Sequence, residues 1–169
     1  MDKVIYLTQG KETTVNELDY IKHGHHKWFA IKQRGENRYY AVRKGTKLDG
    51  DRQGIRIFLH AEIMNTPADM DTDHINGDGL DNRADVNLRI ITRQQNTMNK
   101  GKNKNNKSGY KGVSLHKSGS WRSEINVGGN KIYLGIFKCK HEAARVWNFA
   151  ARMYHGYKYC YTNIIKEEA

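Results

Sequence analysis

Alternation of apolar and polar residues predicts strands in the first third of the chain. It recurs over residues 4–7, 28–31, 39–42 and 54–60, where aromatic and β-branched side chains, which favour strands, are frequent. Residues 34–37 are of types that favour turns, so we predict a turn there between the second and third of these segments. We therefore predict a small β-rich region over residues 1–53, with the fourth strand leading into the next part of the chain.

The same alternation returns in the last third and predicts a three-stranded antiparallel meander, with turns at residues 117–120 and 128–130. The positions on the apolar face are Val113, Leu115, Trp121, Ile125, Val127, Ile132, Leu134 and Ile136. The positions on the polar face are Ser114, His116, Arg122, Glu124, Asn126, Lys131, Tyr133 and Gly135.

A helix is predicted after this meander, over residues 140–154, because apolar residues recur there at helical spacing. These residues are Ala143, Ala144, Trp147, Ala150, Ala151 and Tyr154. The stripe is suited to cover the apolar face of the sheet, so Trp121 and Trp147 are interpreted as core residues. Gly156 suits the end of the helix.

The middle of the chain changes character and is rich in Asp, Asn and His. Residues 70–74 and 88–91 are predicted strands, separated by a loop of Gly and Asp residues. Thr92 stands at a helix N-cap position, and Gln95 completes a capping box. The order strand, loop, strand, helix puts Asn96 on the first helical turn and, with the other regions, gives an α+β fold class.

The charge of +11 is concentrated near the C-terminus. Residues 1–100 carry 16 Lys+Arg against 14 Asp+Glu, whereas residues 101–169 carry 13 against 4. Such a division is expected when one module holds a polyanion. Residues 101–107, rich in Lys, Gly and Asn, are predicted to be a flexible basic linker that buries nothing.

Several classes of site are disfavoured by what the chain lacks. Cys139 and Cys160 form no CxxC pair, which excludes a four-cysteine zinc site and favours free thiols in a reducing cytosol. His23, His25 and His26 are interpreted as solvated surface residues. We also expect a cytoplasmic monomer with no signal peptide, membrane span or small-molecule cofactor.

The middle segment holds residue types suited to phosphodiester hydrolysis, which needs a base for water and a cation for the developing charge. His74 is the candidate base. Asp73 and Asn96 supply hard oxygen ligands for Mg²⁺ or Mn²⁺, and Asn87 is suited to pin the loop or the histidine. The other polar loop residues are interpreted as turn architecture: Asn76, Asp78, Asp81 and Asn82.

Residues 73–78, 81–82, 87–89 and Asn96 resemble the HNH motif of phage homing endonucleases, the ββα-metal nucleases. The resemblance covers residues 54–100. It implies a divalent cation held by Asp73 and Asn96, His74 as general base, and Asn87 as organiser of the loop. Some relatives have histidine in place of Asn96 and bind a softer metal, so the metal stays open. Residues 59–63 are similar to the histidine-containing segment before the motif, where His60 is expected to be buried in a strand with its ring satisfied.

Residues 108–163 resemble an AP2 domain, the module of plant ethylene-response factors that recurs in phage HNH enzymes. The resemblance is carried by residues 108–113, 121–122, 133–137, 142–144, 155–156 and Asn163. Ser114 and His116 stand where the plant pattern has arginines, so base preference does not carry over. The candidate DNA-contacting residues, which we place on the polar face of the sheet, are Lys111, Ser114, His116, Arg122, Asn126, Lys131 and Tyr133.

Two functions follow as hypotheses. The first is a metal-dependent endonuclease of the HNH homing type that hydrolyses double-stranded DNA, encoded by a phage and acting in a bacterial host. The alternative is a sequence-specific DNA-binding regulator whose HNH core is a catalytically inactive relic.

Overall fold

The computed structural model describes residues 1–34, 37–158 and 160–165. Within them the chain is α+β, as predicted, with four α-helices and several small antiparallel sheets. Contacts divide it into two compact units, Met1–Arg93 and Gln94–Ala169. The finer four-part division, like the HNH identity of the middle segment, stays a prediction. The turn expected at residues 34–37 includes Gly35 and Glu36, which lie outside the described residues.

In the first unit, the described residues form three sheets. Strands β1 (Asp2–Tyr6) and β2 (Glu12–Asn16) form a hairpin, β3 (Phe29–Lys32), β4 (Tyr39–Lys44) and β5 (Arg56–Phe58) form a second sheet, and β6 (Met70–His74) pairs with β7 (Leu88–Thr92). Its helices are α1 (Glu17–His23), α2 (Leu59–Ile63) and a 3₁₀ turn at Lys47–Asp49. The core that joins the hairpin, the second sheet and α2 consists of Ile5, Leu7, Val15, Trp28, Ala30, Ala41 and Leu59.

Two elements of this unit, β2 and α1, were not predicted from the hydropathy pattern of the sequence. Strand β2 alternates, but one of its two buried positions is the polar Thr13, beside Val15, so hydropathy alone gives a weak signal. Helix α1 has only seven residues, which is too short for helical spacing to be recognised, and none of them is buried. His23, expected on the solvated surface, is the last residue of α1, where its Nδ1 lies 3.5 Å from Oε1 of Glu62 and 14% of its side chain is exposed. That expectation was wrong for His23, whereas His25 is exposed.

The strand predicted over residues 54–60 is shorter than expected. Strand β5 ends at Phe58, and α2 begins at Leu59. Leu59 is completely buried in the core of the unit, which fixes the start of the helix. His60 consequently lies on a helix, and its predicted place in a strand was wrong.

The second unit contains the predicted meander and helix. Helix α3 (Arg93–Asn99) follows β7 directly, and most of its residues belong to this unit. Strands β8 (Val113–Leu115), β9 (Trp121–Val127) and β10 (Asn130–Phe137) form an antiparallel sheet with β9 in the centre, and α4 (Lys140–His155) packs on it. The buried residues of α4 are Ala143, Ala144, Trp147, Ala150 and Ala151, as predicted. In the described part of the chain, no helix is long and apolar enough to cross a membrane.

Three residues expected on the apolar side of this unit are exposed. A β-bulge between Tyr133 and Gly135 adds a residue to β10, so Ile136 turns outward and Phe137 packs inward instead. Leu115, at the end of the short edge strand, is 64% exposed, because the cluster under α4 reaches only Val113. Tyr154, in the last turn of α4, is also exposed.

The basic segment before β8 is more structured at its end than predicted. The side chain of Asn106 donates to the carbonyl oxygen of Tyr110 at 2.8 Å and accepts from the hydroxyl of Ser108 at 2.9 Å. Asn106 is half-buried, although residues 101–107 were expected to bury nothing, and Ser108, the residue directly after them, is buried. Both cysteines are free thiols, as predicted.

Candidate functional site

The residues with predicted chemistry in the first unit lie where β6 meets its loop. Strands β6 and β7 are antiparallel, with Asp73 opposite Arg89 and His74 opposite Leu88. His74 is the last residue of β6 and is only 6% exposed. The pairing therefore holds the Asp73 and His74 backbone in a regular strand, while the loop that follows determines what surrounds their side chains.

Asp73 forms a half-buried ion pair with Arg89. Nε and Nη2 of Arg89 donate to Oδ2 of Asp73 at 2.8 and 2.6 Å, and both side chains are about 15% exposed or less. The guanidinium compensates the carboxylate charge and fixes its position across the two strands. A cation bound at Asp73 would therefore share the carboxylate with Arg89.

The imidazole of His74 lies in a mostly buried position. Its Nε2 is 3.0 Å from Oδ1 of Asn82, and its ring centroid is 5.8 Å from that of Tyr40 and 4.9 Å from that of His60. Burial lowers the pKa of His74, and the hydrogen bond to Asn82 opposes that shift. The neutral form favoured by burial is the form that accepts a proton.

His60 differs from its expected role as a satisfied histidine. Burial, and to a lesser degree the charge of His74, lowers the pKa of His60 to about 3. Its Nδ1 is buried without a hydrogen-bond partner among the described residues, and its ring packs between those of Phe58, Tyr40 and His74. His60 is therefore a neutral ring that contributes one wall of the His74 pocket.

Asn87 binds the loop between β6 and β7. Its Nδ2 donates to the carbonyl oxygen of Asp81 at 2.6 Å, its Oδ1 accepts from the backbone N–H of Asn76 at 2.9 Å, and its own carbonyl accepts from Ile75. These bonds join both ends of the loop. The side-chain partner of the histidine ring is Asn82, whose Oδ1 faces Nε2 of His74. The sequence analysis had placed Asn82 among turn residues, because nothing in its local sequence marks it as a partner of His74.

The other acidic loop residues act as loop architecture, as the sequence indicated. Oδ1 of Asp78 accepts from the backbone of Leu80, and Asn76 Oδ1 accepts from the backbone of Asp78. The carboxylate of Asp81 accepts hydrogen bonds from Arg83 and Asn76, and that of Arg83 is the larger cause of the lowered pKa of Asp81. These oxygens are engaged within the loop.

The predicted metal pair consists of Asp73 on β6 and Asn96 on α3, and the division between the two units falls between these residues. Within residues 1–34, 37–158 and 160–165, no group of three or more His, Cys, Asp or Glu side chains is placed to hold a metal ion. One carboxylate and one amide oxygen fit a hard cation that keeps most of its water, such as Mg²⁺, and do not fit a site that encloses its metal completely.

The polar face of the second unit brings together most of the predicted DNA-contacting residues, which we call the sheet face: Ser114, Arg122, Asn126, Lys131 and Tyr133. Ser114 pairs with Arg122 across β8 and β9, and Asn126 pairs with Lys131 across β9 and β10. Nη2 of Arg122 donates to Glu124 at 2.6 Å, and its guanidinium lies 5.5 Å from the ring of Tyr133. His116 lies beyond the end of β8, where its Nδ1 is 2.8 Å from the hydroxyl of Ser118.

Lys111 lies outside the sheet face, so its predicted place there was wrong. It precedes β8, and its ammonium donates to the carbonyl oxygens of Met98 and Lys100 at the end of α3. The ammonium also lies 5.5 Å from the rings of Trp147 and Tyr161. Burial lowers the pKa of Lys111 to about 8. Backbone carbonyls at a helix end attract a cation, which explains the inward direction of this side chain.

Comparisons with known proteins bear on the predicted resemblance to an AP2 domain. The chain is 35% identical over 71 residues to APETALA2-like protein 2 of rice, in both the indica and the japonica subspecies. The match covers 41% of this chain and 15% of the rice protein. No protein-family model and no solved structure matches the chain. Part of the chain is thus similar to an APETALA2-like protein, which supports the predicted AP2 resemblance, and the HNH resemblance stays a prediction.

Proposed function

We propose that this protein binds double-stranded DNA through its second unit. The observation that carries the proposal is the sheet face, on which Asn126 of β9 lies opposite Lys131 of β10, while Arg122 points to the same side four residues earlier on β9. The likeness to an APETALA2-like protein and the concentration of basic residues near the C-terminus support it. A β-sheet with cationic and amide side chains can lie in the major groove, with cations at phosphates and amides at base edges.

Arg122 must exchange partners when DNA binds. In the free protein its guanidinium is paired with Glu124 at 2.6 Å. A phosphate or a guanine edge would take over these donors and leave Glu124 near the polyanion. Glu124→Gln should therefore strengthen binding, because its neutral amide oxygen competes for Arg122 less strongly than a carboxylate does, and because it removes a charge that repels DNA.

The test is fluorescence anisotropy of labelled duplexes titrated with the full chain. Arg122→Ala and Lys131→Ala should each weaken binding and reduce the slope of log affinity against log salt by about one unit if the residue contacts a phosphate. Lys22→Ala, which removes an exposed cation in α1 of the first unit, is the matched control. Equal effects from all three variants would show that binding follows net charge only and would remove the sheet face from the proposal.

As a second function, we propose that residues 54–100 supply a metal-dependent phosphodiesterase activity of the HNH type. A specific observation favours it: β6, its loop and β7, followed directly by α3, give the ββα order, with a buried neutral histidine at the end of β6. The comparisons support DNA binding alone more directly, so the non-catalytic regulator stands as the alternative.

In the proposed reaction, His74 accepts a proton from the attacking water. The divalent cation, when bound by Asp73 and Asn96, would neutralise charge that develops on the phosphate and the leaving oxygen. Arg89 holds the Asp73 carboxylate in position, and Asn87 holds the loop around His74. The walls formed by Tyr40 and His60 keep the imidazole away from bulk water.

Incubation of supercoiled plasmid with the full chain and Mg²⁺, with and without a chelator, separates the two functions. Nicking or linearisation that stops with chelator supports hydrolysis. DNA binding without cleavage over a range of Mg²⁺ and Mn²⁺ concentrations supports the regulator. Asp73→Ala and Asn96→Ala should abolish cleavage at low Mg²⁺, with partial recovery at higher concentration, since each removes one ligand. Normal cleavage by both variants would show that the metal binds elsewhere.

A further inference from the structure

A continuous series of hydrogen bonds links His74 to the N-terminal hairpin. Nε2 of His74 lies 3.0 Å from Oδ1 of Asn82, and Nδ2 of Asn82 lies 2.7 Å from Oγ1 of Thr13. That hydroxyl lies 2.6 Å from the carbonyl oxygen of Leu80. Asn82 and Thr13 are almost completely inaccessible to solvent, at 0% and 1% exposure. Water therefore does not replace these partners.

The direction of every bond in this series follows from its last member. A carbonyl oxygen only accepts, so the single hydroxyl proton of Thr13 points to Leu80. The Thr13 oxygen must then accept from Asn82, which requires the NH₂ end of the amide on that side. The other end of the amide, the Oδ1 atom, faces His74 and only accepts, so Nε2 of His74 carries the proton. A neutral imidazole has one ring proton, which leaves the lone pair on Nδ1.

Backbone hydrogen bonds hold the same parts of the chain together. The N–H of Asn82 donates to the carbonyl of Thr14 at 2.7 Å, and the N–H of Thr14 donates to the carbonyl of Leu80 at 3.0 Å. Strand β2 thus supports the β6–β7 loop through its main chain as well as through Thr13. Replacing the Thr13 hydroxyl by a methyl group leaves these main-chain bonds in place and changes only the side-chain series.

We propose that Thr13 is a positioning residue that acts through Asn82 to hold His74 in the tautomer protonated at Nε2. Nδ1 is then the nitrogen presented for proton transfer. The tautomer is a property of the free protein, whereas the use of Nδ1 as a base rests on the proposed hydrolysis. The N-terminal hairpin, to which the sequence assigned no chemistry, thereby becomes part of the site.

Nitrogen-15 NMR of the histidine-labelled full chain tests the tautomer directly. Long-range correlations from the ring carbon-bound protons distinguish a protonated ring nitrogen from one with a lone pair, and the His74 signals are those missing from His74→Gln. Measurement at a pH where His74 is neutral should show the proton on Nε2. A proton on Nδ1 would overturn the proposal, whatever the behaviour of any variant.

Two substitutions at Thr13 test whether this residue sets the tautomer. Thr13→Val keeps the shape but removes the hydroxyl, so Asn82 loses its fixed orientation and the ring signals should move toward a mixture of tautomers. Thr13→Ser keeps the hydroxyl and should retain the wild-type spectrum. An unchanged His74 spectrum in folded Thr13→Val would overturn the role of Thr13. If Thr13→Val does not fold, the proposal is tested by the wild-type spectrum, which should show the proton on Nε2, and by Thr13→Ser, which should keep that spectrum. A different His74 spectrum in Thr13→Ser would overturn the proposal.

Cleavage assays of the same variants connect the tautomer to the proposed reaction. Thr13→Val should cut about 10- to 100-fold more slowly, the scale for losing a group that orients a functional side chain, and Thr13→Ser should cut at nearly the wild-type rate. If the spectra behave as expected while the wild-type chain cuts no DNA, the hydrolysis is wrong and the positioning of His74 stands. If the chain cuts DNA and Thr13→Val cuts equally well, the link between Thr13 and the base is wrong.

Discussion

At the residue scale, the candidate site depends on a histidine whose burial keeps it neutral. His74 combines 6% exposure with a single fixed hydrogen bond to Asn82. Burial disfavours the charged imidazolium, so the ring is ready to accept a proton near neutral pH. The neighbouring Asp73 is charge-paired with Arg89, so the two adjacent residues are held by different partners.

Replacement of His74 should therefore separate chemistry from binding. We expect His74→Ala to lower the rate of DNA cleavage by about 10²-fold or more, the scale of a lost general base, with DNA affinity nearly unchanged. His25→Ala, which removes an exposed histidine of the same unit, serves as the control. Single-turnover cleavage of a plasmid measures the rate. Substantial cleavage by His74→Ala would remove this residue from the mechanism.

At the scale of elements, α4 packs so closely on β8 and β9 that one backbone position has no room for a side chain. A Cβ on Gly112 would lie 1.9 Å from Nε1 of Trp147 and 2.7 Å from the carbonyl oxygen of Glu124. The φ of Gly112 is also positive, at 75°. Both the contact with the helix and the backbone conformation therefore require glycine here.

Gly112→Ala should strongly destabilise the second unit. Overpacking costs about 1–3 kcal/mol, and the left-handed conformation adds about 1–2 kcal/mol for a residue with a Cβ. Gly109→Ala is the matched control, since Gly109 has a φ of 84° but open space around the added Cβ. Calorimetry should show a larger fall in unfolding temperature for Gly112→Ala. Equal falls would contradict the close packing of Trp147 on this turn.

A buried charge network joins α1, α2 and β4 in the first unit. The guanidinium of Arg43 donates to both carboxylate oxygens of Glu62, at 2.8 and 2.9 Å, and His23 lies 3.5 Å from the same carboxylate. Burial raises the pKa of Glu62, but the hydrogen bonds from His23 and Arg43 outweigh it and lower the pKa to about 2. The unfolded value is about 4.3, so the folded state binds fewer protons between these two values.

The first unit should consequently lose stability on acidification. The contribution of Glu62 is fully present above about pH 4.3 and is lost as the pH falls toward 2, because the folded state must then take up a proton. Glu62→Gln should be less stable at pH 6 and should lack this part of the pH dependence. The exposed Glu17→Gln is the control. Urea unfolding at several pH values, followed by the Trp28 indole NMR signal, measures the free energy of unfolding of the first unit. If this free energy depends on pH in the same way for wild type and Glu62→Gln, the network is contradicted.

At the scale of the whole molecule, the two units carry very different charge. Residues 1–93 have 15 Lys+Arg against 14 Asp+Glu, a net of +1, and residues 94–169 have 14 against 4, a net of +10. The excess of basic residues therefore lies in the unit that contacts define from Gln94 onward. Long-range attraction to a polyanion therefore belongs to the second unit.

Separate expression of the two units should separate their DNA affinities. We expect residues 94–169 to bind duplex DNA with an affinity that falls steeply as salt rises, because each neutralised phosphate releases counterion. Residues 1–93 should bind weakly at every salt concentration. Anisotropy titrations between low and physiological salt measure both. The assignment of DNA binding to the second unit is wrong if the fragment 94–169 is folded by its NMR spectrum and does not bind DNA at low salt.

The sequence by itself determined the elements that depend on local pattern. Strand alternation predicted β8, β9 and β10, and helical spacing predicted α4, because each side chain's direction follows from its own segment. The order strand, loop, strand, helix around His74 was also predicted. The AP2 resemblance received support from the rice proteins, whereas the HNH resemblance and its metal remain predictions.

Only the tertiary structure decided which partners these residues have. Asn82 reads as a turn residue in the sequence, yet it binds His74 and a threonine 69 positions away. Lys111 reads as a surface cation, yet its ammonium caps the end of α3. A hydrogen bond between distant segments leaves no periodic trace in either one, so sequence pattern cannot show it. The buried and exposed faces of the strands could therefore be predicted from the sequence, whereas the hydrogen-bond partners of the site residues could not.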